Sequence, residues 1–370
     1  MHFISNKQDL SNMIFVVQRA ISTKNPVPIL TGIRFDAFGE LLTVTATDLE
    51  MGIRCSQPVR VIEEGASVLP SKYIADLIRL LPDLPIIFKD DRANGSVTIK
   101  YGDSETSING FPEDEYPDVE FQVNEGGFLI EENILENALK QILFAVASDD
   151  NRSASLTGAM VTVEKDYMEI VSTDLHRLSW CKLPVKNAEG IRENFIIPGK
   201  TLNELSKVIG KNDSEIRVVS NENQVMFFVD NISFISRLMN GKFPKYKHVI
   251  PKKYTSRIKV KTKYMLEATE RASLLKKEEK SSIKLVIDND LMIISDASVA
   301  GQVYEEIPVE LTGEPAKIGF NAYYLIELLR IFKSEETEID FAGSYSPGVF
   351  RPLGEKDNFS LILPVRIETE

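Results

Sequence analysis

The sequence predicts an α+β fold made of three tandem copies of one module, each carrying two helices and several short strands. Three observations predict it. Leu30-Thr31-Gly32 and Thr47-Asp48-Leu49 recur as Leu156-Thr157-Gly158 and Thr173-Asp174-Leu175, both at an offset of 126 residues, and Ser295-Asp296 takes the place of Thr-Asp in a weaker third copy. The stretches "VLPSKYIADLIRLLP" from Val68, "IIPGKTLNELSKVIG" from Ile196 and "IGFNAYYLIELLRIF" from Ile318 share one pattern. Each reads as a strand end, a small or polar capping residue, and apolar residues at three- and four-residue spacing, which is a helix. Finally, 370 residues exceed the usual size of a single domain.

Each copy opens with a first helix: "KQDLSNMIFVVQRAI" from Lys7, "NILENALKQILFAVA" from Asn133 and "KYMLEATERASLLKK" from Lys263. Segments such as "GSVTIKYG", "NQVMFFVDN" and "SFISRLM", bounded by Gly, Asn and Asp, read as strands and hairpin turns. Boundaries near Asp118 to Gly127 and Lys247 to Arg257 divide the chain into modules 1–122, 123–252 and 253–370. Strands at a module's rim expose unpaired backbone groups, a liability that packing against the next module or closing a ring removes.

Gly199-Lys200-Thr201 ahead of a helix looks like the end of a phosphate-binding loop, but that loop needs a glycine five positions earlier, where Asn194 stands. Its relatives in the other two copies make it a helix entrance.

Composition narrows the function classes. Hydrophobic content of 43% with 26% charged residues is ordinary for a globular protein. No apolar run approaches a membrane span, and "MHFISNKQDL" lacks the regions of a signal peptide, so a cytoplasmic location is expected. Cys55 and Cys181 have no Cys or His neighbour at metal-ligand spacing, and neither a metal nor a cofactor is expected. His2, His176 and His248 are the only histidines, and no Ser or Cys has a nucleophile's setting, so no catalytic residue is assigned and the chain is not expected to be an enzyme. Asp174 is expected to serve its turn, as Asp48 and Asp296 would in the other copies.

The net charge of −12 argues against a nucleic-acid partner only if it is spread evenly. The helical segments 7–21, 71–81, 131–147, 200–211, 262–280 and 322–333 carry 15 Lys or Arg against 11 Asp or Glu. If these helices share a surface, it is a basic surface on an acidic protein. Lys200, Lys207 and Lys211, spaced by seven and four, lie on one helical face.

"PVPILTGI" near residue 30, "TDLHRL" at Thr173, "IIPGKTLNEL", "GKFPKY" at Gly241 and "SLILPVRI" from Ser360 together carry a resemblance to the bacterial DNA polymerase III beta subunits, the sliding clamps, over essentially the whole length. The resemblance implies a head-to-tail homodimer closed into a ring, with helices lining a hole for duplex DNA and Lys24, Lys72, Arg152, Lys200 and Lys207 facing it. Asp149 and Asp150 stand where the family often has a neutral polar residue. It also implies partners, namely the replicative polymerase, clamp loader and repair proteins, held by short linear peptides in an apolar cleft. Carried over by motif, that cleft comprises Leu156, Thr173, Leu175, His176, Arg177, Leu178, Pro244, Val249, Asn321, Tyr324, Leu363, Pro364, Val365 and Arg366. Leu175 replaces a usually small residue, which would reshape the pocket. The dimer interface would set Ile108 against Leu274 and Leu275, with Thr106 where a large apolar residue is often found. The rival reading is a non-enzymatic protein-interaction scaffold that does not encircle DNA.

Overall fold

A computed structural model of the chain describes residues 1–22, 26–91, 93–121, 126–148, 153–188, 193–210, 214–275 and 282–366. Two compact units are formed, one from residues 1–133 and 203–238, the other from 134–202 and 239–370. Neither unit follows the repeat. Strands of one copy pair with strands of the next, and each unit therefore contains a junction between copies.

The first unit holds helices α1 (Lys7–Val17) and α2 (Ser71–Leu80). Asn6 starts α1, its side chain accepting from the Asp9 N–H at 2.8 Å, and Leu10, Met13, Ile14 and Val17 form the buried stripe. An eight-stranded sheet runs Phe128–Glu131, Glu215–Ser220, Gln224–Val229, Ile232–Arg237, Met51–Pro58, Leu41–Thr47, Gly32–Phe38, Gly65–Pro70 in spatial order. Its middle is the antiparallel pair Ile232↔Cys55 to Ser236↔Met51, which joins the second copy to the first. A five-stranded sheet ends on Ser104–Asn109, an edge strand. Phe3 and Phe88 stack at 4.7 Å in the core.

Helices α3 (Glu132–Leu143) and α4 (Gly199–Ser206) carry the chain from one unit to the other. A Cβ on Gly199 would lie 2.6 Å from Val146 Cγ1 and 2.8 Å from the Thr157 carbonyl oxygen. Close packing at the start of α4 therefore requires this glycine, and the Gly-Lys-Thr motif is a helix entrance, as its repeat context implies.

The second unit holds α5 (Thr262–Ser273) and α6 (Ala322–Ile331). In its nine-stranded sheet Arg177–Pro184 pairs with Asn358–Ile362, from Arg177↔Ile362 to Cys181↔Asn358, which joins the third copy to the second. A four-stranded sheet begins on Gly301–Pro308, also an edge strand. Ser282–Asp288 shows why these segments are strands: Ile283, Leu285 and Ile287 point into the core and alternate with less buried residues. Burial of each contributes about 1.5–3 kcal/mol. Phe320, Phe341 and Phe350 fill the same core with Leu325 and Leu328 of α6.

Two expectations are corrected. In the third copy Asp296 is not at a turn: it sits inside the strand Leu291–Ser298, opposite Val303, and the hairpin reverses at Val299-Ala300. The six α-helices among the described residues are also not basic, carrying eight Lys or Arg against eight Asp or Glu. The sequence segments overran the helix ends, and the surplus lies in flanking residues such as Arg19, Lys207 and Lys333, with Lys211 and 276–280 outside the described residues.

Candidate peptide cleft and nucleic-acid interface

The residues expected to line a peptide cleft are arranged around one turn. Thr173 ends its strand, and its hydroxyl donates to the Arg177 carbonyl at 2.7 Å while accepting from the Leu175 N–H at 3.1 Å. Asp174 Oδ1 accepts from the His176 and Arg177 N–H groups at 2.8 and 2.9 Å. This is the Asx-type role expected of Asp174. With the backbone fixed at both ends, Leu175 is driven to φ 72° and its side chain outward, 56% exposed.

Arg177 is the electrostatic centre. Its guanidinium bonds Asp174 Oδ2 at 3.2 Å and Glu327 Oε2, and lies 4.4 Å over the Tyr324 ring and 5.1 Å over that of Phe144. Only 10% of this side chain is exposed. A planar, always-charged fork suits two carboxylates and two ring faces at once. His176 stands exposed and stacks on Tyr324 at 6.3 Å. Tyr324 is held in turn by the start of α6, where Asn321 caps the helix by accepting from the Tyr323 and Tyr324 N–H groups at 2.9 and 3.3 Å.

The C-terminal segment closes the same corner. Leu363 N–H donates to the His176 carbonyl and Val365 N–H to that of Gly319, both at 2.9 Å. Leu363 and Arg366 are exposed, Pro364 and Val365 half-buried. Leu178 is buried opposite Leu361, and Phe243, Tyr246 and Ile250 pack over that pair. The segment carrying these three brings half-buried Pro244 and exposed Val249 alongside. Leu156 is buried; the adjacent Ser155 hydroxyl donates to the Lys242 carbonyl at 3.1 Å. The fourteen cleft residues thus belong to one unit, where the Thr173–Leu178 turn, the C-terminal segment, α6 and segment 242–250 meet or share packing. Leu175, Val249 and Leu363 supply exposed apolar surface, with Arg177 and Asn321 as fixed polar groups.

Glu327 and Phe144, which hold Arg177, had no signal in the sequence. Tyr246 lies in the GKFPKY motif without a role assigned to it; its hydroxyl donates to Glu169 Oε2 at 3.3 Å, and its pKa is pushed up to about 12 by burial and that carboxylate.

Of the residues expected to face DNA, Lys72 is exposed in the first turn of α2 and Lys200 in that of α4. Lys207, just past α4, pairs with Glu204 at 2.6 Å, and Glu204 also binds Arg19 at 3.2 Å. Lys24 and Arg152, with Asp149 and Asp150, lie outside the described residues.

Ile108, expected at a dimer interface, is only 9% exposed and faces Val97 across the sheet, so its side chain packs inside its own unit. What its strand presents outward is an edge. Leu274 is 70% exposed, and Leu275 lies beside Gly301 at the start of the other edge strand, which Arg271 of α5 ties down through two bonds to Glu305 at 2.9 and 2.6 Å.

Three family models match in succession: the DNA polymerase III beta subunit N-terminal domain over residues 1–120, the central domain over 129–245 and the C-terminal domain over 247–366. The beta sliding clamp of Halalkalibacterium halodurans is 34% identical, covering 99% of this chain and 100% of its own. That of Staphylococcus epidermidis is 32% identical, with 99% of both chains covered. Among solved structures, a DNA polymerase sliding clamp from Bacillus subtilis superposes with a TM-score of 0.94 at 30% identity over 100% of both chains. A Pseudomonas aeruginosa clamp bound to griselimycin gives 0.93 at 26% identity, covering 99% of this chain and 100% of its own. The chain belongs to the DNA polymerase III beta subunit family, the DNA sliding clamps.

Proposed function

We propose that two copies of this chain close head to tail into a ring around duplex DNA and tether the replicative polymerase, clamp loader and repair proteins by short peptides seated in the cleft. The modules are taken as 1–122, 123–252 and 253–370. The observation that carries the ring is a pair of unmatched edges. Ile232–Arg237 pairs with Met51–Pro58 at the first junction between copies, and Asn358–Ile362 with Arg177–Pro184 at the second. The repeat-equivalent strands, Ser104–Asn109 and Gly301–Pro308, are each left at the edge of a sheet. A second copy supplies the missing partner for both, because a head-to-tail contact joins unlike edges and closes by rotation.

The rest follows from charge and topology. Phosphate contacts from Lys72, Lys200, Lys207, Lys24 and Arg152 read no sequence, so the ring slides on any duplex. With a net charge of −12 the protein is repelled by DNA from outside, and linkage rather than affinity keeps it on. No step requires catalysis, a metal or a cofactor. No described helix is long and apolar enough to cross a membrane, in keeping with work in the cytoplasm.

The test compares retention on closed circular duplex with retention on the same DNA after linearisation, following loading by a matched clamp loader. Retention on circles with escape from linear ends is expected. Equal, salt-sensitive retention on both would refute encirclement.

A further inference from the structure

The sheet face under the cleft does not stop at Leu178 and Leu361. One same-face pair further along the same two strands stand Trp180 and Phe359, in register and stacked at 5.1 Å. Beside them is a hollow of about 290 Å³, walled by Trp180, Phe359, Tyr246 and Ile250, with Lys247 and Lys252 at its rim. The segment that offers Pro244 and Val249 to the cleft offers Tyr246 and Ile250 to this hollow, so cleft and hollow share a floor and a wall. The rim is cationic: Lys252 is exposed, and Lys247 is 3.9 Å from Glu169, the one lining carboxylate among the described residues, which Tyr246 also engages.

We propose that this hollow is a second subsite for partner peptides, taking a large apolar side chain from a segment beyond the cleft anchor, with acidic residues beside it to meet Lys252 and Lys247. It rests on the cleft reading above and deepens it. An aromatic slot suits such a side chain, because stacking adds to area burial, and continuity lets the second contact form without a second association cost. A short cleft peptide would leave it empty; a longer, acidic and aromatic one would fill both.

Trp180 is the only tryptophan, so its emission reports the hollow directly. The experiment titrates the intact protein with the cleft peptide of its own replicative polymerase, and with the same peptide extended at either end by Asp-Asp-Phe. One extended form is expected to bind about ten-fold tighter, as an added buried aromatic group allows, and to shift Trp180 emission where the short one does not. Phe359→Ala, or the surface change Lys252→Glu should the first disturb folding, is expected to remove the gain and leave the short peptide's affinity unchanged. Equal affinity and unchanged emission for all three peptides would overturn the second subsite while leaving the cleft standing. Failure of every peptide to bind would overturn both. Emission that changes with protein concentration alone would mean that a second copy covers the hollow, and would also overturn it.

Discussion

Leu49 and Leu175, 126 residues apart, share one backbone conformation, φ 75° and 72°, in turns with the same hydrogen bonds. Thr47 and Asp48 bond the Leu49–Met51 backbone as Thr173 and Asp174 bond that of Leu175–Arg177. A left-handed conformation costs a side-chain-bearing residue about 1–2 kcal/mol, offset in a glycine replacement by about 0.5–1 kcal/mol of backbone entropy. Leu49→Gly and Leu175→Gly should each therefore stabilise the protein by up to about 1.5 kcal/mol, measured by thermal unfolding. Only Leu175→Gly should change peptide affinity, because only that turn adjoins the cleft; an equal change from both would remove Leu175 from the site.

Arg177→Met should be among the most disruptive single changes near the cleft. It removes the Arg177 ion pair from Asp174, 8% exposed, and strips the cation from Tyr324. Breaking a buried pair from one side costs about 3–5 kcal/mol. Arg177→Lys should recover only part, since an ammonium cannot span Asp174, Glu327 and two rings together. Chemical denaturation of the three proteins checks the order wild type, Lys, Met.

How much of this was legible depended on distance along the chain. Thr173, Asp174 and Arg177 form their turn within five residues, and the same letters recur at Thr47 and Asp48, so the turn could be read. Glu327 is 150 positions from Arg177, and Phe359 meets Trp180 only because two strands from different copies happen to pair. No local pattern encodes such partners. Asp296 misled for a related reason: the same letter in a longer hairpin falls inside the strand, because the loop position decides which backbone groups need an acceptor. Helix charge misled because amphipathic spacing continues past the α-helix ends, into the 3-10 turn that holds Arg19 and the hydrogen-bonded turn that holds Lys207.

The ring model makes Ser104–Asn109 an edge whose outward N–H groups are used only in the dimer. Successive N–H groups of a strand point to opposite sides, and proline is tolerated where the N–H faces away from the sheet. One of Thr106→Pro and Ser107→Pro should therefore leave the unit folded and abolish dimerisation. Sedimentation equilibrium at micromolar concentration, with far-UV circular dichroism as the folding control, checks it. Two folded dimers would refute this edge as the interface.

Lys72→Ala, Lys200→Ala and Lys207→Ala should weaken binding to a short duplex regardless of its sequence. Each cation removed from a phosphate should lower the slope of log K against log salt by about 0.9. Stability of the Lys207→Ala protein should barely move, since Lys207 contributes one surface pair, worth about 0.2–1 kcal/mol, and Glu204 keeps Arg19. Anisotropy at several salt concentrations measures it. An unchanged slope for all three would place the DNA-facing surface elsewhere.

Alkaline pH should destabilise the first unit through Cys55. The thiol is 3% exposed, and burial raises its pKa from 9.0 to about 11. As pH climbs between those values the unfolded chain loses this proton while the folded one keeps it. The stability contributed is therefore complete below pH 9 and is lost as pH rises through 11. The loss should reach about 1.4 kcal/mol per pH unit within that window. Cys181, buried and raised further, extends the loss to higher pH in the second unit. Cys55→Ala should flatten the decline in melting temperature between pH 9 and 11 relative to wild type. If both proteins decline equally, the thiol is not what titrates.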